Sequence, residues 1–340
     1  VIGVLLVAFD FDPALVIQRF IETFDNDTRR SNLVMLVVPI LLCGSGLLLT
    51  FTAGLWNIGV EGQITMGAIF ATFIAKGITQ SEYTVIGVGG AVAFAALGGM
   101  LWAMLVAWLK TVFKVNEIFS GVALNFIATN ILIYLVSDPW KAPGTSPTTV
   151  PFGRGALFPS LPEGSLKPIF NGSQLSPGAI ALCAVFYLFV AFILYRSHFG
   201  LQLRAMGKNE RSAYLLGVRT ERNIALALMV CGALAGIAGA VLVLFTRQRL
   251  VPGISGGIGF LAVLIVLLIG ARAAWLPLVT VLFATVPIGS QRLNIMLGVN
   301  AALGGVLQSG LVFAVLLAAG IQTAWFARKR RPHPDPSSHE

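Results

Sequence analysis

The stretch LVMLVVPILLCGSGLLLTFTAGL at residues 33–55, then WNIG at 56–59 and VEGQITMGAIFATFIA at 60–75, decides the fold. Leu33 to Leu55 carries no charge and is long enough to cross the hydrocarbon core of a bilayer as a helix. Trp56-Asn57-Ile58-Gly59 then breaks the helix, and a second apolar run goes from Glu61 to about Ala75. A break between two such runs frees backbone groups that lipid cannot satisfy. It is tolerated only where it is buried in protein or lines a cavity.

The rest of the chain has the same character. Of its 340 residues, 56% are hydrophobic and only 11% are charged, and the mean hydropathy is +0.86. A soluble domain is roughly a quarter charged, so a water-soluble globular enzyme is excluded. Further apolar runs lie at Tyr83–Leu109, Val115–Val136, Pro177–Tyr195, Asn223–Phe245, Ile258–Ile269, Trp275–Ile288 and Val299–Ala319. Val1–Phe9 reads as the end of a first span. The expected fold is an all-α, polytopic helical membrane protein with about ten transmembrane segments. Its expected organisation is a shortened first span with an external segment (1–32), a first bundle (33–136), a Pro-, Gly-, Ser- and Thr-rich external loop (137–176), a second bundle (177–327) and a basic tail (328–340).

The net charge of +9 does not point to nucleic acid, because the cations sit in short gaps between apolar runs. Arg196, Arg204, Lys208, Arg211, Arg219 and Arg222 share one loop, opposed only by Glu210 and Glu221. Arg328-Lys329-Arg330-Arg331 forms a second cluster. The positive-inside rule places both in the cytoplasm and the 137–176 loop outside, with Lys110 and Lys114 inside. Arg247 and Arg249 fall on the outer side, against the bias. Cys43, Cys183 and Cys231 are isolated in apolar runs, without disulfide or zinc spacing. His198, His333 and His339 lie outside the apolar segments, so no histidine metal site or catalytic dyad can form within the membrane. No cofactor is expected.

Two carboxylates stand where charge is costly, Glu61 and Glu117. Glu61 opens a helix just after the break, with Asn57 and Gln63 beside it. It either satisfies the free N–H groups and positive dipole of that first turn or lines a substrate site at the break; the two are compatible. Glu117, Gly121, Asn125 and Thr129 are spaced by four, which puts them on one helix face for about 18 Å. Such a face serves either as interhelical hydrogen-bond glue or as the wall of a translocation path. Small residues recur in the same way at Gly232, Gly236 and Ala240, and at Gly87, Ala91, Ala95 and Gly99, which is bundle packing.

Within the basic loop, Gly200 to Gly217 reads as a turn and then a short helix. Asn209 is its N-cap, Glu210 lies in its first turn and Gly217 stops it. Tyr214, Leu215 and Leu216 give this helix an apolar surface that a purely electrostatic loop does not need, which points to a docking partner.

Four stretches together resemble the permease subunit of a bacterial ABC importer of the branched-chain amino acid, ribose and nucleoside permease family, nearest to its nucleoside-type members. They are Ala53–Gln63 with Gly67-Ala68, Lys114–Ser120 with Leu124-Asn125, Gly200–Gly217, and Gly257–Val263 with Leu276-Pro277. The third departs from the family pattern, with Glu-Arg-Ser after Asn209, and the fourth shows Val-Leu-Leu-Ile-Gly270 in place of Ala-Leu-Leu-Gly. The resemblance implies a location in the bacterial inner membrane and a path formed with a second, non-identical permease subunit. It implies an external substrate-binding lipoprotein and two separate cytoplasmic ATP-binding subunits. This chain has no G-x-x-x-x-G-K-[ST] loop with which to hydrolyse ATP itself. Arg204, Asn209, Glu210, Tyr214 and Leu215 would then couple to the ATPase, and Asn57, Glu61, Gln63, Glu117 and Asn125 would serve the path. Two rivals stand beside the nucleoside: the same role for a simple sugar or branched-chain amino acid, and a stand-alone secondary transporter using Glu61 and Glu117 as ion sites.

Overall fold

The computed structural model describes residues 22–78, 85–144, 146–166 and 169–297, together with Gln18 and Leu317. Ten helices occur in order among these residues: α1 (Asp27–Thr52), α2 (Val60–Ala75), α3 (Val85–Thr111), α4 (Glu117–Ser137), α5 (Pro177–Arg196), α6 (His198–Lys208), α7 (Glu210–Leu215), α8 (Thr220–Val241), α9 (Ile258–Leu268) and α10 (Leu276–Leu297). A π turn at Leu242–Thr246 prolongs α8, and no strand occurs among the described residues. The chain divides into two compact units, Phe24–Thr285 and Val1–Thr23 with Val286–Glu340. The expected spans at Val1–Phe9 and, but for Leu317, Val299–Ala319 lie outside the described residues, as does the tail at 328–340. The larger unit, Phe24–Thr285, holds both the broken helix and the basic loop.

Among the described residues, five helices are long and apolar enough to cross a membrane: α1, α3, α4, α5, and α8 with its π turn. Their caps follow from sequence. The Asn26 side chain accepts the Thr28 and Arg29 N–H groups, so α1 begins well before the apolar run at Leu33. At its other end Gly54 adopts φ +79°. The Leu55 N–H reaches the Thr50 carbonyl and the Gly54 N–H that of Phe51. This left-handed glycine closure ends the helix and produces the break. By contrast α2, with 16 residues, and α9, with 11, are about 24 and 16 Å long, short of a core of about 30 Å.

The small-residue stripes predicted from spacing meet each other. α8 is the central helix, packed against α1, α2 and α3. A Cβ on Gly99 would lie 2.8 Å from the Gly236 Cα, and one on Gly46 would lie 2.8 Å from the Cys231 Cα. Gly67 likewise faces the backbone of Gly236. Main chains this close maximise dispersion contact where lipid offers no hydrophobic drive.

Among its described residues, Asp138 to Ser176 is irregular apart from 3₁₀ turns at Arg154–Ala156 and Gly172–Gln174. It is nevertheless anchored to the chain beyond α8. The Thr149 N–H donates to the Leu250 carbonyl (3.1 Å) and the Phe152 N–H to that of Gln248 (3.0 Å). The Leu250 N–H returns a bond to the Thr149 hydroxyl at 3.0 Å.

Candidate translocation core and coupling surface

The broken segment between α1 and α2 is held by side chains from three directions. From α4, the Asn125 amide spans the break: its Oδ1 accepts the Gly62 N–H at 2.8 Å and its Nδ2 donates to the Ile58 carbonyl at 3.0 Å. One turn earlier Gly121 admits Gly59, and a Cβ at Gly121 would stand 2.7 Å from the Gly59 nitrogen. One turn earlier again, Glu117 accepts the Trp56 N–H at 3.3 Å. Its other oxygen takes the Lys110 ammonium at 2.6 Å. Three residues of the α4 stripe, Glu117, Gly121 and Asn125, therefore form a brace fitted to the break. Thr129, the last of the stripe, instead donates to the Asn125 carbonyl on its own helix.

Inside the break the buried Asn57 and Gln63 amides exchange two hydrogen bonds of 3.1 Å. Asn57 also donates to the Cys231 sulfur of α8 at 3.1 Å. Both side chains are wholly enclosed, so in this conformation they fix the loop geometry. Close by, the Trp102 indole N–H is buried without a partner among the described residues. A Cβ on Gly62 would stand 3.0 Å from it.

Glu61 closes a different helix from the one expected. It lies in the first turn of α2, yet its oxygens accept the Gly257 N–H at 3.0 Å and the Gly259 N–H at 2.8 Å. These donors belong to the free N-terminal groups of α9, where a carboxylate meets the positive end of the helix dipole. The preceding turn has glycines with positive φ at Gly253, Gly256 and Gly257. Gly259 is needed for space, because a Cβ there would overlap Glu61 Oε2 and lie 3.0 Å from the Glu61 nitrogen.

The basic loop contains two helices. Gly200, expected in a turn, lies inside α6, because the Ser197 hydroxyl caps that helix by accepting the Gly200 N–H at 3.0 Å. Glycine is required there by packing, since a Cβ would press on the Leu194 carbonyl carbon at 2.8 Å. α7 begins as the sequence indicates: Asn209 accepts the Ser212 N–H at 2.9 Å, and Gly217 stops it at φ +86°. Tyr214, Leu215 and Leu216 are 66, 77 and 83% exposed, an apolar tip with nothing over it among the described residues. Arg204 and Glu210 are exposed nearby. α6 is tied inward by a 2.9 Å bond between the amides of Asn223 and Gln202. Gly207, near its end, rests on Thr52 and Gly54, so that a Cβ there would strike the Thr52 carbonyl.

A family model described as the permease component of branched-chain amino acid transport systems matches residues 29–316. The chain belongs to that family. Similar proteins include the glucose ABC transporter permease protein TsgB13 of Haloferax volcanii, 27% identical over 92% of this chain and 83% of that one. The guanosine ABC transporter permease protein NupP of Bacillus subtilis is 29% identical over 84% of this chain and 80% of its own. A putative glucose ABC transporter permease protein of Haloferax volcanii, TsgC13, is 32% identical over 81% of each. No solved structure matches this chain. The permease is thus a multi-pass membrane transport subunit and not an enzyme, and its family works with ATP-hydrolysing and substrate-binding partners.

Several residues of this core were not singled out by sequence for these roles. Cys231 and Gly207 read only as apolar filler and turn, and Lys110 only as a topology marker. The seven-residue step from Lys110 to Glu117 is the one local signal that could have paired them.

Proposed function

We propose that this permease translocates a nucleoside through an ATP-driven importer, paired with a second, non-identical permease subunit. In this reading an external binding lipoprotein delivers the substrate and two cytoplasmic ATP-binding subunits drive transport. The observation that carries the substrate class is the set of relatives named for it. Besides NupP they include the nucleoside ABC transporter permease protein NupB of Lactococcus lactis, 23% identical over 86% of this chain. We assign the permease to a bacterial inner membrane with its C-terminus in the cytoplasm, in keeping with the Arg328–Arg331 cluster.

Asn57, Glu61, Gln63, Glu117 and Asn125 frame the path at the broken helix. Four of them bond to one another or to the break's own backbone, and Glu61 joins the break to α9. Arg204, Asn209, Glu210, Tyr214 and Leu215 form the ATPase contact, for which the exposed tip of α7 is the support. A simple sugar is the second reading, favoured by the 32% identity to TsgC13.

The test is ATP-dependent uptake of labelled guanosine and of labelled glucose by proteoliposomes holding the permease with its cognate partners. Guanosine uptake that unlabelled glucose does not compete supports the proposal. Glucose uptake alone gives the site to the sugar, and uptake without ATP or partners would return the chain to the secondary transporters.

A further inference from the structure

We propose that the cavity between the end of α3 and the start of α8 binds the phosphodiester headgroup of an anionic phospholipid. The cavity holds about 860 Å³, and its lining includes Lys110, Lys114, Arg219 and Arg222. Three carboxylates, Glu117, Glu210 and Glu221, also line it, so the neutralised charges have to be set apart first. Lys110 is committed to the buried Glu117 at 2.6 Å. Lys114 meets Glu221 at 3.0 Å, but both are about 70% exposed, a pair that contributes little and yields to a stronger anion. Glu210, exposed at the start of α7, offsets one further cation and leaves the lining with a net charge of +1. Among the described residues Arg219 and Arg222 form no ion pair. Their forked guanidiniums are the groups suited to a phosphate.

Backbone donors converge on the same space. α8, 22 residues long, starts at Thr220 in the cavity wall, and Arg219 at its N-cap supplies no side-chain bond to the first turn. Those N–H groups and the positive dipole end add to the cationic side chains. The occupant is chosen by what surrounds the cavity. Lys110 lies in the last turn of an apolar span and Lys114 three residues beyond its end. Interleaved with them are Trp108 and Phe113, each at least half exposed and packed edge to face at 4.8 Å. Exposed aromatic rings at a span's end belong at the level of the lipid headgroups, and basic pockets between helix ends at that level take anionic headgroups. The bound phosphate would lie beside Lys110 of the Lys110–Glu117 brace and beside Tyr214 of the docking helix α7, both in the same lining.

The test uses the full chain purified in neutral detergent. Native mass spectrometry counts retained phosphatidylglycerol and phosphatidylcholine, and thermal unfolding is followed alongside. Wild type should retain phosphatidylglycerol preferentially and be stabilised by it. The double variant Arg219→Gln with Arg222→Gln should bind it about fivefold more weakly for each cation removed. The charge-keeping pair Arg219→Lys with Arg222→Lys should retain it. Should the glutamine pair fail to fold, Lys114→Gln, at an exposed position, should show the single-cation loss. Equal retention of the two lipids, or equal retention of phosphatidylglycerol by wild type and variants, overturns the proposal. Stabilisation by inorganic phosphate alone that displaces the lipid gives the site to a soluble anion. Unchanged lipid binding with lost co-purification of ATP-binding subunits gives it to a partner protein.

Discussion

Glu61 and Gly259 are matched: the carboxylate accepts the Gly259 N–H at 2.8 Å, and the glycine's missing side chain is the space that carboxylate occupies. The charge that looked like a self-cap of α2 fastens α2 to α9, whose donors lie 196 and 198 residues further along the chain. With two backbone donors on its oxygens, the carboxylate serves in this conformation as the acceptor at the start of α9.

Glu61→Ala leaves two partly buried N–H groups without acceptors and should cost about 1–3 kcal/mol of stability. Gly259→Ala should cost a similar amount by expelling the carboxylate, and the double variant little more than either single one. Thermal unfolding in detergent measures the cycle, and additive losses would show that the two residues act separately.

Asn125→Ala removes both bonds across the break and should destabilise by about 1–3 kcal/mol. Asn125→Asp keeps the acceptor for the Gly62 N–H but turns the donor facing the Ile58 carbonyl into a second acceptor. It should therefore be no better than alanine, in unfolding temperature and in uptake alike.

Tyr214→Asp with Leu215→Asp changes only exposed surface on α7, so insertion and thermal stability should stay at the wild-type level. Co-purification of the ATP-binding subunits should be lost. Retained co-purification would remove α7 from the coupling role.

Two glycines of the same protein should respond oppositely to alanine. Gly236→Ala puts a methyl group against the Ala95 carbonyl and the Gly99 Cα and should cost about 1–3 kcal/mol. Gly89→Ala meets nothing within 4 Å and should be neutral, or stabilising by up to about 1 kcal/mol through helix propensity. Unfolding temperatures of the two variants decide the point.

The helical membrane fold could be read directly, because apolar run length is a local property and lipid leaves the backbone few alternatives. The α4 stripe was legible for the same reason, since a spacing of four fixes a shared face whatever that face meets. Its partner was not, because the contacts from Asn125 to Ile58 and Gly62 cross more than sixty positions of chain. The pairing of Asn57 with Gln63 was hidden by the turn between them, which folds the two amides back on each other. Gly200 misled in the ordinary way. Glycine marks turns and tight packing alike, and only the nearness of the Leu194 carbonyl tells which it is here.

The seating of Gly207 on Thr52 and Gly54 has a mechanical meaning. Where two side chains touch, a push from one side is partly spent in rotating them. Here main chain lies on main chain, and no side-chain torsion is available to absorb the push. A shift of α6 toward α1 would bear directly on Thr52 and on Gly54, whose left-handed backbone opens the break. The linkage is a strut, and its stiffness comes from an atom that glycine does not have.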